Sequence, residues 1–265
     1  MYKCLTALLA AVGRAAAQVS FPITGLTAAL LAGLMLARPK KIWKPLLALS
    51  LSLTLLWLPL YANAPYSVSR TATDETLFAL IESLAQTLEP AEALPHAEIL
   101  QMAQSLSGGG VRLKYARFPE LMRAVHMAGF YSPLTGEALL SEAEPEWFLP
   151  FVACHELAHA NGLANEGQAN LRAYALCLSS DSAAFRNSAR LYAMRTALSM
   201  LAPYAAQAVL ARLPEAVRLQ LSGIEAKPTR RTGGLLSYVP GRYEDLVYSL
   251  LSDAFFSFPP SNPTV

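Results

Sequence analysis

Two uncharged, strongly apolar runs near the start of the chain place the tightest limit on how it can fold. They cover residues 19–37 and 46–62. Each run approaches the roughly 20 residues that a helix needs to cross a bilayer. The short segment between them contains the basic residues Arg38, Lys40, Lys41 and Lys44. The pattern therefore predicts a transmembrane helical hairpin over residues 19–62.

The basic segment also predicts how this hairpin is oriented. Short loops rich in Lys and Arg stay on the cytoplasmic side of a membrane. Both ends of the hairpin then point outward, and residues 63–265 are expected to form one extracytoplasmic domain. Residues 1–18 are either an interfacial helix or a signal-like segment, because Lys3 and Arg14 flank an apolar run too short to span the bilayer.

The composition agrees with a membrane protein whose partners include the lipid bilayer. Of the 265 residues, 54% are hydrophobic and only 15% are charged, whereas about 25% are charged in a typical soluble domain. The net charge of +2 is too small, and the basic residues are too scattered, for a protein that binds nucleic acid. Cys154 and Cys177 are interpreted as two buried thiols or, alternatively, as one disulfide.

After the hairpin, the sequence predicts a mainly helical domain with a small sheet. Segments with helical spacing of apolar residues are separated by Pro and Gly. Thr73 or Asp74, Asn165 and Asp181 each stand where a helix cap is expected. The stretch GFYSPLTGEALLS, residues 129–141, predicts two short strands around a Pro-Leu-Thr-Gly turn. The expected fold class is therefore mainly α, of the α+β kind.

The stretch CHELAHANGLANEGQAN, residues 154–170, contains two histidines four positions apart. In a helix, His155 and His159 lie one turn apart on the same face, so both imidazoles can bind one metal ion. Glu156 projects about 100° away around the helix axis. That position suits a general base acting on a water molecule at the metal. The arrangement is the HExxH pattern of zinc hydrolases.

Residues that follow the histidine pair extend the predicted site. Gly162 allows the chain to leave the helix. Glu166, seven positions after His159, can return its carboxylate as a third zinc ligand and leave the fourth position to water. Asn170 lies one helical turn further on, where its amide can hold a ligand histidine. The alternatives are core histidines with protein partners and a solvated glutamate at a helix start.

The motif HELAH…E(x2)AN resembles the HExxH…ExxA(D/N) layout of gluzincin-type metallopeptidases. GFYSPLTGEALLS, LPFVACHELAHANGLANEGQANLRAYALCLSS and RYEDLVYSLL resemble the domain-of-unknown-function 3810 family of bacterial membrane proteins. This resemblance implies a zincin-like domain on a membrane hairpin, outside the bacterial cell membrane. It also implies zinc ligands at His155, His159 and Glu166, and a catalytic role for Glu156. Gln168 stands where the family often has an acid, which favours Glu166 as the ligand.

Other residues are candidates for contacting a substrate. Tyr243, in the segment that resembles the C-terminal part of the family, is expected to stabilise the negative oxygen formed during attack on a carbonyl. The alternative is a tyrosine that packs at a helix start. Arg186 either steers a substrate carbonyl or carboxylate or forms a surface ion pair, and the ion pair is favoured. The strands of residues 129–141 either pair with an extended peptide or form a plain structural hairpin.

The site and the hairpin predict a membrane-anchored zinc hydrolase, and the resemblance implies that it is a metallopeptidase that hydrolyses peptide bonds in a peptide or protein substrate. Zn²⁺ is the expected cofactor, and nucleic acid is not an expected partner. One alternative is a non-catalytic membrane protein in which zinc links two helices. Another is a site-2-type protease, which would need the motif inside a membrane span.

The predicted topology can be tested with reporter fusions. Alkaline phosphatase fused after residue 70 should be active, because that point is expected outside the cytoplasm. The same reporter fused within residues 38–44 should be inactive. The opposite pattern of activity would reject the orientation.

Overall fold

The structure, a computed structural model, describes residues 72–108, 111–124, 127–132, 136–142, 144–163, 165–222 and 244–252. Within these ranges no helix is both long and apolar enough to cross a membrane. The predicted hairpin, residues 19–62, and the preceding segment 1–18 lie outside the described residues. Both therefore stay predictions.

Helices make up most of the described chain, and a small three-stranded sheet accompanies them, as the sequence predicts. The helices are α1 (Asp74–Gln86), α2 (His96–Leu106), α3 (Pro119–Ala124), α4 (Leu149–Ala160), α5 (Glu166–Leu178), α6 (Ala183–Met200), α7 (Pro203–Leu210), α8 (Glu215–Ser222) and α9 (Asp245–Leu251). A 3₁₀ turn, Glu146–Phe148, leads directly into α4. The strands are β1 (Leu113–Tyr115), β2 (Gly129–Ser132) and β3 (Glu137–Leu140).

Two of the predicted helix caps are confirmed. The Thr73 hydroxyl accepts a hydrogen bond from the backbone N–H of Thr76 at 3.3 Å, and the Thr76 hydroxyl accepts one from the backbone N–H of Thr73 at 2.9 Å. This reciprocal pair satisfies two N–H groups at the start of α1. Asn165 caps α5 by accepting from the N–H of Gln168 at 3.2 Å. The prediction for Asp181 is wrong, because α6 begins one residue later than that cap requires, with Ser182 as its N-cap.

The strands form one sheet in the order β1-β3-β2. β1 runs parallel to β3 and places Leu113 opposite Ala138, whereas β2 runs antiparallel to β3 and places Gly129 opposite Leu140. The two strands predicted within residues 129–141 are therefore confirmed. The face of the sheet that carries Leu113, Ala138 and Leu140 joins the hydrophobic core.

Helix α4 occupies the middle of this core. Every side chain from Leu149 to His159 is buried. The helix contacts α2, α5 and α6 and both strands of the β2–β3 hairpin. A helix buried all round belongs in the interior of a domain. Cys154 of this helix and Cys177 of α5 are buried free thiols, which confirms the thiol interpretation.

The other face of the sheet carries a buried ion pair. Lys114 Nζ lies 2.8 Å from Glu137 Oε1, and the two side chains are only 5% and 0% exposed. The residues come from neighbouring strands, β1 and β3, so the pair also links those strands. Desolvating two charges is costly, and their attraction offsets that cost only while both partners are present.

We expect the replacement of one partner to be far more damaging than the replacement of both. Lys114→Met leaves a buried carboxylate without its cation and should lower the free energy of unfolding by about 3–5 kcal/mol. The double variant Lys114→Met/Glu137→Met should recover most of that loss. Urea denaturation of the three proteins measures both effects. A single variant as stable as the parent would show that the pair does not hold β1 to β3.

Candidate metal centre

Three ionisable side chains of α4 lie inside the protein. His155 and His159 are each 9% exposed, and Glu156 is 5% exposed. Burying such groups without a partner costs several kcal/mol or more. The structure therefore has to provide each of them with a partner, and the next helix in the chain provides the first.

Glu166, the first residue of α5, brings its carboxylate to both imidazoles. Its Oε2 lies 3.2 Å from Nε2 of His155, and its Oε1 lies 3.5 Å from Nε2 of His159. The two Nε2 atoms are 3.0 Å apart. Ligands at about 2.0–2.1 Å from a tetrahedral zinc ion are separated by about 3.3–3.4 Å. The separations between the two imidazoles and the carboxylate are therefore within about 0.3–0.4 Å of those around a zinc ion.

The end of α4 fixes which nitrogen of His159 faces this cluster. Nδ1 of His159 lies 2.7 Å from the carbonyl oxygen of Leu163. A carbonyl only accepts hydrogen bonds, so Nδ1 carries the proton and Nε2 of the neutral ring keeps its lone pair for a metal. This backbone partner is a contact that the residue types alone do not reveal.

Gly162 makes that contact possible. It has φ +97°, a left-handed conformation that side chains other than glycine rarely adopt. The N–H of Gly162 donates to the carbonyl of His159 at 3.0 Å, and the N–H of Leu163 donates to the carbonyl of Ala158 at 3.1 Å. These are the two bonds of a Schellman motif. The prediction that Gly162 ends the helix is confirmed.

Charges in the cluster favour a cation between the ligands. Burial raises the pKa of Glu166, but hydrogen bonds from His155 and His159, and their charges, lower it overall to well below its usual value. Burial lowers the pKa of His159, but Glu166, the charge of Glu156 and the Leu163 carbonyl raise it overall. Surroundings that favour a proton on an imidazole also favour a metal cation at the same place.

Glu156 lies beside the cluster and points toward the sheet. Burial raises its pKa to about 7, opposed by the imidazoles of His155 and His159 and supported by the charge of Glu166. A Cβ atom added to Gly129 would lie 2.5 Å from Oε1 of Glu156. Gly129, the first residue of β2, therefore leaves the space that this carboxylate fills.

Asn170 lies on the buried side of α5, one turn after Glu166. Within the described residues, neither its amide nitrogen nor its amide oxygen has a hydrogen-bond partner, and the same is true of Nδ1 of His155. The predicted bond between Asn170 and a ligand histidine is not formed in the structure. The amide nitrogen and oxygen of Asn170 and Nδ1 of His155 have no other hydrogen bond within the described residues. The role of Asn170 therefore stays a prediction.

Two predicted residues remain, Arg186 and Tyr243. Arg186 binds both carboxylate oxygens of Glu89 and donates to the carbonyl of Ser180 at 2.6 Å. The expectation of an ion pair is therefore confirmed. Through this pair, Arg186 links the segment before α2 to α6. Tyr243 lies outside the described residues, so its role stays a prediction.

Comparison with known proteins gives one family match. A family model described as "Protein of unknown function (DUF3810)" matches residues 58–234, about two thirds of the chain. That range includes all three predicted metal ligands together with Glu156 and Asn170. No curated protein and no solved structure matches the chain.

The geometry predicts which substitutions abolish metal binding. His155→Ala and Glu166→Ala should each weaken zinc binding by more than about 100-fold, because loss of even an outer partner of a ligand costs about 10–100-fold. Gln168→Ala, two residues from Glu166 on the same helical turn, is the matched control and should bind zinc normally. Competition against a fluorescent zinc chelator measures all of these affinities. Normal zinc affinity in Glu166→Ala would place the third ligand elsewhere.

Proposed function

The chain belongs to the DUF3810 family of proteins of unknown function, and we propose that it is a zinc-dependent metallopeptidase. The observation that carries the proposal is the convergence of two imidazoles and one carboxylate, with a second carboxylate, that of Glu156, beside them. The donor atoms of the three ligands all lie within 4.8 Å of one another. Their order along the chain, HExxH and then Glu166, supports a gluzincin-like site.

The number of ligands favours a catalytic site over a structural one. Among the described residues, the group of His, Cys, Asp and Glu side chains that can hold a metal has three members. Structural zinc sites use four protein ligands, whereas catalytic sites use three and leave a position for water or substrate. A bound zinc ion polarises a carbonyl group and lowers the pKa of water.

Glu156 is the residue that we assign to proton transfer. Because burial raises its pKa to about 7, this carboxylate can both accept and release a proton near neutral pH. It takes the proton of the attacking water and gives it to the nitrogen of the leaving amine. Its position beside Gly129 holds it next to the sheet rather than among the metal ligands.

The sheet supports a peptide as the substrate. β2 is an edge strand, because the order of the sheet is β1-β3-β2 and no other strand of the described residues pairs with its outer side. An extended peptide can add to such an edge through backbone hydrogen bonds. Since β2 begins at Gly129, against the Glu156 carboxylate, a peptide paired with it passes close to the proposed base.

The proposal extends to the location of the enzyme and to the oxyanion donor. Two uncharged apolar runs and the basic segment between them support anchoring by residues 19–62, with the zincin-like domain outside the bacterial cell membrane. Tyr243 remains our candidate for a donor to the negative oxygen. These parts rest on the sequence pattern and on the resemblance described above.

Replacement of the proposed base separates catalysis from metal binding. Glu156→Gln should bind zinc with normal affinity, because Glu156 is not among the ligands. Its kcat should fall by about 10²–10⁴-fold, the usual contribution of a general base. Mass spectrometry of a digested peptide library measures activity, and metal analysis measures zinc content. Glu146→Gln, the same change at an exposed acid before α4, is the control, and full activity in Glu156→Gln would refute the mechanism.

A further inference from the structure

Arg195 of α6 has a guanidinium group that is held mainly by aromatic rings. Its central carbon lies 4.6 Å from the ring centre of Phe148 and 4.6 Å from that of Tyr192. Both rings are buried. A cation placed over two aromatic faces is held through attraction to the rings and through packing of its stem. The plane of the guanidinium is therefore fixed mainly by the two rings, and most of its N–H groups take no part in holding it.

Most of those N–H groups remain available for a ligand. The Tyr192 hydroxyl accepts a side-chain hydrogen bond from Arg195, and within the described part of the chain no other residue accepts one from this guanidinium. The nearest carboxylate oxygen, Oε2 of Glu144, is 3.8 Å from Nη1, which is beyond hydrogen-bond distance. By contrast, Arg186 and Arg190 of the same helix both donate to Glu89. The side chain of Arg195 is 26% exposed, so a ligand can reach it.

The position of Arg195 relates it to the metal centre. Phe148 ends the 3₁₀ turn before α4, and Phe151 and His155 follow it within α4 at spacings of three and four residues. Tyr192 stacks on Phe151 with ring centres 3.9 Å apart, and Phe151 stacks on His155 at 6.4 Å. The ring of Phe148 lies beneath the guanidinium of Arg195. Phe148 precedes His155 by seven residues, or about 10 Å along a helix.

We propose that Arg195 binds a carboxylate group of the substrate, about three residues of extended peptide from the bond that is cleaved. The distance follows from the rise of about 3.3 Å per residue of an extended chain. A guanidinium fork matches a carboxylate with two parallel hydrogen bonds, which gives specificity as well as affinity. The carboxylate belongs either to an Asp or Glu side chain or to the C-terminus of a short peptide. The proposal rests on the proposed peptidase function for its choice of a peptide as ligand.

Glu144 gives this proposal a distinctive consequence. Its carboxylate is near enough to attract Arg195, but too far away to occupy the N–H groups. It therefore competes weakly with a carboxylate of the substrate. Removal of the charge of Glu144 strengthens the preference for an acidic peptide, whereas removal of the charge of Arg195 abolishes it. Loss of folding cannot produce a gain of this kind.

The test measures peptide binding in full-length protein that carries Glu156→Gln, so that binding is read without cleavage. The probes are dye-labelled ten-residue peptides of Ala and Ser with an amidated C-terminus, each carrying one Glu or one Gln at a scanned position. A further probe without Glu or Gln has a free C-terminal carboxylate, and its amidated form is the comparison. Fluorescence anisotropy gives each dissociation constant. The two sets of probes distinguish a side-chain carboxylate from a terminal one.

We expect the best carboxylate probe to bind about tenfold more tightly than its neutral counterpart, the size of effect that one hydrogen bond to a charged group produces. Arg195→Gln should remove this preference, Arg195→Lys should keep part of it, and Glu144→Gln should increase it. Arg212→Gln is the control, because Arg212 is exposed and its nearest acid is Glu82; it should change nothing.

Two results would overturn the proposal: no preference for any carboxylate probe, or a preference that survives Arg195→Gln. Cleavage by the protein with an intact Glu156 separates this failure from that of the proposed function. Peptide cleavage without a carboxylate preference refutes the role of Arg195 and leaves the peptidase standing. A preference that depends on Arg195, in a protein that cleaves no peptide, supports the binding site and refutes the peptidase.

Discussion

The rest of the site depends on one constraint, the close approach of three electron-pair donors inside the protein. Two imidazole nitrogens lie 3.0 Å apart on a helix that is buried from Leu149 to His159, and a carboxylate faces both of them. Protein interiors tolerate such groups only when each has a partner. A single cation at their centre would satisfy all three at once, and their separations of 3.0–3.5 Å are close to those of ligands around zinc. The buried helix is thus also the reason that the site is rigid, because packing on every side fixes the donors.

Small residues and backbone conformations shape the surroundings of this cluster. Gly162 turns the chain so that the Leu163 carbonyl fixes the tautomer of His159. Gly129 leaves room for the carboxylate of Glu156 at the edge of the sheet. Gly167 allows Asp245 of α9 to approach α5 next to Glu166, since a Cβ atom there would lie 2.5 Å from Oδ2 of Asp245. The three glycines thus shape the surroundings of three different polar side chains, those of His159, Glu156 and Asp245.

The sequence predicts the local features well and the long-range contacts poorly. Helical periodicity is enough to place His155, His159 and Glu156 on one helix, and the spacing to Glu166 predicts that this acid returns to them. Strand β1 is not predicted from the sequence, because a segment of three residues is too short to show an alternating pattern. Two long-range contacts are not predicted either: the Lys114–Glu137 ion pair and the approach of Gly129 to Glu156. Each joins segments that are far apart in the sequence and come together only in the folded protein. A helix does begin near Asp181, as predicted, but its N-cap is the next residue, Ser182.

The central claim, zinc held by two imidazoles and one carboxylate, is tested most directly by X-ray absorption spectroscopy at the zinc edge of the purified full-length protein. The account predicts one zinc ion per chain with a first shell of nitrogen and oxygen at about 2.0–2.1 Å and outer-shell scattering from two imidazole rings. The Glu166→Ala protein should lose that signal. A sulfur ligand at about 2.3 Å, which would indicate one of the three cysteines, or a protein that retains no zinc, would contradict the account.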